Sequence, residues 1–66
     1  MSLGKNIEKH RKRAGLSRER LSLRCKGKVS ATHLVKIEKE IVKSPGIEMV
    51  QAIANALNVK LDDLVR

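Results

Sequence analysis

The side chains able to do chemistry are few. The 66 residues hold one cysteine, Cys25, two histidines, His10 and His33, and seven carboxylates against 15 lysines and arginines. Zinc wants four ligands at close spacing, and a thiol nucleophile wants a histidine held beside it. One Cys and two His make a poor match to either, so Cys25 reads as a small core residue and His10 as a partly buried helix residue. Glu48, Asp62 and Asp63 stand where helices are expected to begin, and a carboxylate there stabilises the helix dipole. Paired-carboxylate catalysis is the weaker reading of these three residues. No glycine-rich loop of the Walker or dinucleotide type is present. The expectation is a protein that is not an enzyme, with no cofactor, no metal and no evident small-molecule ligand.

What remains is cationic. The net charge is +8 and the sequence pI about 10.3. Residues 1–43 carry 13 of the 15 cations and four of the seven acids, a net of +9, whereas residues 44–66 carry a net of −1. Such a balance speaks about partners: DNA, structured RNA or an anionic membrane surface. Thr32, Lys36, Lys39 and Lys43 recur at i, i+4, i+7 and i+11, one face of a helix that is cationic and nearly free of acids. A solvated charge run is the plain reading of such a face, because charge alone says little. With no Phe, Tyr or Trp, recognition of single strands by stacking bases on aromatic rings is largely excluded. A membrane-surface role lacks anchors, since the first helix offers only Leu3, Ile7 and Ala14.

The elements that must position these cations follow from periodicity and capping. A chain of this size buries about 60% of the surface its unfolded form exposes, so the core must be a small aliphatic one and a deep enzyme pocket is not expected. Leu3, Ile7, His10 and Ala14 mark the inner stripe of a first helix that Gly15 ends. Ser17 is a good N-cap for a second helix with Leu21 and Cys25 inward, and Leu16 with Leu21 has the spacing of a hydrophobic staple. Lys26-Gly27-Lys28 breaks it. Ser30 repeats the cap and Val29 with Leu34 the staple, opening a third helix with Leu34, Ile37 and Ile41 on one face. Ser44-Pro45 is expected to start a fourth, with Pro45 at its first position and Val50, Ile53, Ala54 and Leu57 inward. Asn58 ends it in the left-handed conformation, and Val59 with Leu64 staples a last helix for which Lys60 is a poor N-cap. Five short helices joined by connections of about two to six residues make one all-α domain over residues 1–66. The lone cysteine cannot form an internal disulfide, no apolar run approaches a membrane span, and Met1–Asn6 hold no apolar leader. The expected location is cytoplasmic, at the nucleoid when bound to DNA.

The order of these pieces carries a resemblance that covers Leu3 to Val65. The run Leu3-Gly4-Lys5-Asn6-Ile7-Glu8-Lys9-His10-Arg11-Lys12-Arg13-Ala14-Gly15-Leu16-Ser17 resembles the first helix of the phage Cro and repressor family, the XRE-like helix-turn-helix proteins, and the approach to its second. Val29-Ser30-Ala31-Thr32-His33-Leu34-Val35-Lys36-Ile37-Glu38 is similar to the recognition helix. Ile47-Glu48 through Ala54-Asn55-Ala56-Leu57-Asn58-Val59-Lys60-Leu61-Asp62-Asp63-Leu64 looks like the fourth and fifth. The resemblance implies a compact five-helix lambda-repressor-like domain, with the helix-turn-helix at about residues 17–39. It implies double-stranded DNA as partner, bound as a homodimer on a palindromic site, in a transcriptional regulator, most simply a repressor. An interaction module, an antitoxin or an adaptor, is the other use of the fold.

The resemblance also implies roles. Ala31, Thr32 and Lys36, with His33 beside them, match positions that read base edges, where a lysine donates to guanine and the methyls of Ala and Thr meet thymine. Arg18 stands where the family usually places a Gln on a phosphate, at a helix N-terminus that itself favours phosphate. Ser17, Ser30, Lys39 and Lys43 join it as phosphate contacts, which position a protein without carrying sequence information. Lys26 and Lys28, which lie where the chain departs from the family, project beside the docking face and add phosphate contacts if the extra length is taken up in the loop. Arg11 and Glu38 match a structural ion pair. Three departures stand out. The segment between Leu21 and Val29 is two residues longer than usual, a length more easily absorbed in the loop than in the helix because two residues turn a helix by about 200°. Glu40 stands where a Gly is common, and His10 replaces a Leu.

Overall fold

The computed structural model describes residues 2–66. The chain forms α1 (Leu3–Arg13), α2 (Arg18–Arg24), α3 (Ala31–Glu38), α4 (Ile47–Leu57) and α5 (Leu61–Val65), with no strand among the described residues. Three helices start on serine. The Oγ of Ser2, Ser17 and Ser30 accepts from the backbone N–H of Lys5, Arg20 and His33 at 3.0, 3.1 and 3.0 Å, satisfying donors that a helix start leaves without partners. Leu16, Leu21, Val29 and Leu34 are buried, as the two staples require. At α5, the Asp63 carboxylate instead accepts from the Lys60 backbone N–H at 3.0 Å. A lysine side chain has no acceptor to offer in return.

Three helices also stop by one device. After α1, the N–H of Gly15 donates to the carbonyl of Lys12 and that of Leu16 to Arg11. After α3, Glu40 donates to Ile37 and Ile41 to Lys36; after α4, Asn58 donates to Asn55 and Val59 to Ala54. These are Schellman closures, which need a left-handed residue at the turn. Gly15, Glu40 and Asn58 supply it at φ 71, 62 and 58°. α2 ends at Arg24, and Lys26 and Gly27 turn the chain at φ 56 and 83°. The two additional residues therefore lie in the turn, and the helix is not lengthened.

Four expectations are corrected. α4 begins at Ile47, capped by Gly46, and not at Pro45. A start at Pro45 would put Gly46 inside the first turn, where glycine is unfavourable by about 1 kcal/mol relative to alanine, whereas at the N-cap it is accepted. The α3–α4 connection thus runs over residues 39–46, longer than expected. Ile41 is 68% exposed because α3 has already closed at Glu38. Ala14 is exposed because it caps α1 instead of continuing its stripe.

Ile7, Leu21, Val29, Leu34, Ile37, Ile53 and Leu64 are fully buried in one cluster to which every helix contributes. α1 packs on α3, α4 and α5, and α2 on α3 and α4. Two features of α1 set that arrangement. Gly4 is buried where a Cβ would lie 2.3 Å from the carbonyl oxygen of Ile37, so α1 approaches the end of α3 with no side chain between them. Asn6 is buried too, and its Nδ2 donates to the carbonyls of Leu64 at 2.9 Å and Arg66 at 2.8 Å, tying the C-terminal turn to α1.

Candidate nucleic-acid interface

α3 carries the candidate reading surface, and its inner face fixes what the outer face displays. Leu34, Ile37 and Glu38 are buried, so Thr32 and Lys36, four residues apart, project from the opposite side and are exposed. Lys36 takes part in no ion pair among the described residues. Ala31 opens the helix and is half-buried. With Thr32 and Val35 it forms one wall of a cleft of about 330 Å³, whose other wall is Arg11, Ser17, Arg18 and Glu19. The first turns of α2 and α3 thus face each other across a space bordered by two guanidinium groups.

Those groups belong to a network centred on Glu38, whose side chain is 1% exposed. Arg11 donates through Nε to Glu38 Oε2 at 2.8 Å and through Nη2 to Oε1 at 3.1 Å, while its Nη1 donates to the carbonyl of Leu16 at 2.8 Å. A buried carboxylate is tolerable only when paired and hydrogen-bonded, and this fork supplies both. Arg18 adds a further bond from Nε to Glu38 Oε1 at 3.0 Å. Its Nη2 lies 3.8 Å from Glu8 Oε2, and Lys12 Nζ lies 3.6 Å from the same oxygen. Sequence reasoning found the partners Arg11 and Glu38 but read Arg18 only as facing outward. In the structure Arg18 is partly turned inward, its side chain 29% exposed.

The other expected site residues are distributed as follows. Ser17 and Ser30 are the exposed N-caps of α2 and α3, their hydroxyls already accepting from the chain. His33 is half-buried, and its Nε2 is covered by protein with no hydrogen-bond partner. That nitrogen is therefore not presented beside Thr32 for base contact in this arrangement. Lys26 and Lys28 are exposed but border a different groove, with Arg24, Cys25 and the α4 residues Ala52, Asn55 and Ala56. Lys39, the C-cap of α3, is exposed, and Lys43 lies past it beside Leu3, Gly4 and Val42. The structure therefore brings Ser17, Arg18, Ala31 and Thr32 to one cleft and leaves Lys26 and Lys28 on the groove against α4 and Lys43 beside the start of α1. Glu8, Gly4 and Asn6 were missed as contributors. The one signal for Asn6 was a poor helix former in the middle of a helix.

Cys25 is buried, with Sγ 3.9 Å from the carbonyl oxygen of Ala52. Burial pushes its thiol up from the ordinary range, which disfavours the thiolate. Among the described residues no three His, Cys, Asp or Glu side chains are grouped to hold a metal ion, and no helix is long and apolar enough to cross a membrane.

A model of the Cro/C1-type helix-turn-helix family matches residues 7–64, a span that runs from the first buried isoleucine of α1 to the buried leucine of α5. Comparison with curated proteins and with solved structures gave no match. The matched span contains α2, the turn and α3. The chain belongs to the Cro/C1-type helix-turn-helix family, as a DNA-binding helix-turn-helix regulator with the lambda-repressor-like fold.

Proposed function

We propose that this protein is a sequence-specific transcriptional repressor that binds double-stranded DNA as a homodimer, laying α3 in the major groove. The observation that carries the reading is the pair Thr32 and Lys36, exposed one turn apart on a helix whose start borders the Arg18 cleft. In this arrangement Lys36 donates to guanine O6 and N7, and the methyls of Thr32 and Ala31 contact thymine. Arg18, Ser17, Ser30 and Lys39 hold the neighbouring phosphates, while Lys26, Lys28 and Lys43 meet the backbone on either side. The C-terminal end, where Val65 is 52% exposed, supports the dimer contact. Met49 is partly buried against the core and contributes less.

Selection from a randomised duplex pool at near-physiological salt tests this directly. The expected product is an inverted repeat with half-sites about 34 Å apart, one helical turn. On that site Lys36→Ala changes the preferred base at one position by about 1–3 kcal/mol, and Arg18→Ala weakens all sequences about equally. Binding that is steeply salt-dependent and unenriched refutes sequence reading, and the remaining use of the fold is then as an interaction module.

A further inference from the structure

We infer that Glu8 is a built-in competitor for DNA phosphate at Arg18, and so sets how tightly the protein holds any duplex. The inference rests on the DNA-binding reading and concerns a residue that reading does not use. Arg18 is fixed on one edge by Glu38, whose carboxylate is buried and already forked to Arg11. That bond is sheltered and orients the guanidinium. The outer edge is different. Nη2 faces Glu8 at 3.8 Å, beyond hydrogen-bond length, and both side chains are partly exposed, at 29% and 36%. The same Glu8 oxygen is shared with Lys12, 67% exposed and at 3.6 Å. Glu8 is therefore a loosely held carboxylate on the outer edge of Arg18, the same arginine that lines the cleft between α2 and α3.

A phosphate oxygen and a carboxylate oxygen ask the same thing of a guanidinium, two N–H donors in one plane. When a phosphate reaches Arg18, Glu8 must yield its share of Nη2, and its charge repels the newcomer. Lys12 then retains Glu8, so the displaced carboxylate is not left unpaired. Glu38 keeps Arg18 aimed throughout, because three N–H groups from two arginines already hold it. Arg18 is thus both oriented and restrained, by two different acids.

The test is a double-mutant cycle read as duplex affinity at about 50 mM salt, where exposed pairs are little screened. Exposed ion pairs of this kind are worth about 0.2–1 kcal/mol, so Glu8→Gln is expected to tighten binding to specific and random duplexes alike, by up to about fivefold. In an Arg18→Ala background the same substitution is expected to change affinity by less than about twofold, the usual margin for independent sites. Glu19→Gln is the control. Glu19 borders the same cleft without an ion pair to Arg18, and its effect is expected to be equal in both backgrounds. Should Arg18→Ala fail to fold, Arg18→Gln keeps an N–H for Glu38 while removing the charge. A gain from Glu8→Gln that persists in full without Arg18 overturns the inference, because Glu8 then acts only as one more negative charge. No gain in the wild-type background overturns it as well. If the wild-type protein binds no duplex at this salt, the DNA-binding reading fails and the inference falls with it.

Discussion

Replacing Gly4 by alanine sets two effects of opposite sign against each other. By helix propensity alone, alanine is better than glycine in α1 by about 1 kcal/mol, and Gly4 is not among the residues at positive φ. The added Cβ, however, would lie 2.3 Å from the carbonyl oxygen of Ile37, 3.0 Å from that of Glu38 and 3.1 Å from the Cα of Glu38. An unstrained carbon–oxygen approach is about 3.3 Å or more, so α1 and the end of α3 must separate by nearly 1 Å. No side chain can rotate away to allow this, because the obstructing atoms are backbone. Glu38 is moreover held by Arg11 and Arg18, so the separation also strains the buried ion pair. Overpacking of this kind costs about 1–3 kcal/mol, and the absence of a rotamer escape argues for the upper part of that range. Net of propensity, Gly4→Ala is expected to destabilise by about 1–2 kcal/mol, a fall in Tm of roughly 5–15 °C for a domain this small. Gly46→Ala adds the same methyl where nothing lies within 4 Å, so it is expected to show only the smaller loss of replacing an N-cap glycine by alanine. Thermal and urea unfolding followed by circular dichroism compares the two. A Gly4→Ala protein as stable as the wild type, or more so, refutes the close seating of α1 on α3.

Two further expectations concern the C-terminal end of α3. Glu40→Gly removes a side chain from a left-handed residue at φ 62°; the strain relieved, about 1–2 kcal/mol, exceeds the conformational freedom gained by the unfolded chain. The urea midpoint should rise by the equivalent of about 0.5–1 kcal/mol with an unchanged slope, and a lower midpoint contradicts this. Glu38→Ala leaves the Arg11 guanidinium buried without its carboxylate, a loss of about 3–5 kcal/mol. Against a total stability of about 5–15 kcal/mol, the variant should be marginal or unfolded at room temperature. An unfolding midpoint close to that of the wild type would mean that water reaches Arg11 and replaces its partner.

The local signals were legible because they act over few residues. Ser17 and Ser30 cap donors three positions away, the staples join residues five apart, and Gly15 and Asn58 relieve the same left-handed strain wherever a helix closes on itself. Where the reading slipped, two local devices competed. Ser44-Pro45 and Gly46 each make a plausible helix start, and the choice fell to Gly46. Glu40 carried a signal of the opposite kind. Its departure from glycine marked the position, but not that the chain takes the left-handed turn in spite of the side chain.

The candidate site divides along the same line. From the amino-acid sequence alone came the helix that displays Thr32 and Lys36, because burial of Leu34 and Ile37 at helical spacing leaves those residues only the other face. Sequence likewise determined the concentration of positive charge before residue 44, since charge is a property of composition. Only the tertiary structure decided that Arg18 lies between Glu38 and Glu8, that the ring nitrogen of His33 is covered, and that Lys26 and Lys28 border α4. It also decided that Gly4 admits a carbonyl and that Asn6 reaches across to the last turn. Apart from the His33 ring, each of these is a contact between segments far apart in the chain, and hydrophobic periodicity specifies which face of a helix is inward without specifying which helix it will meet.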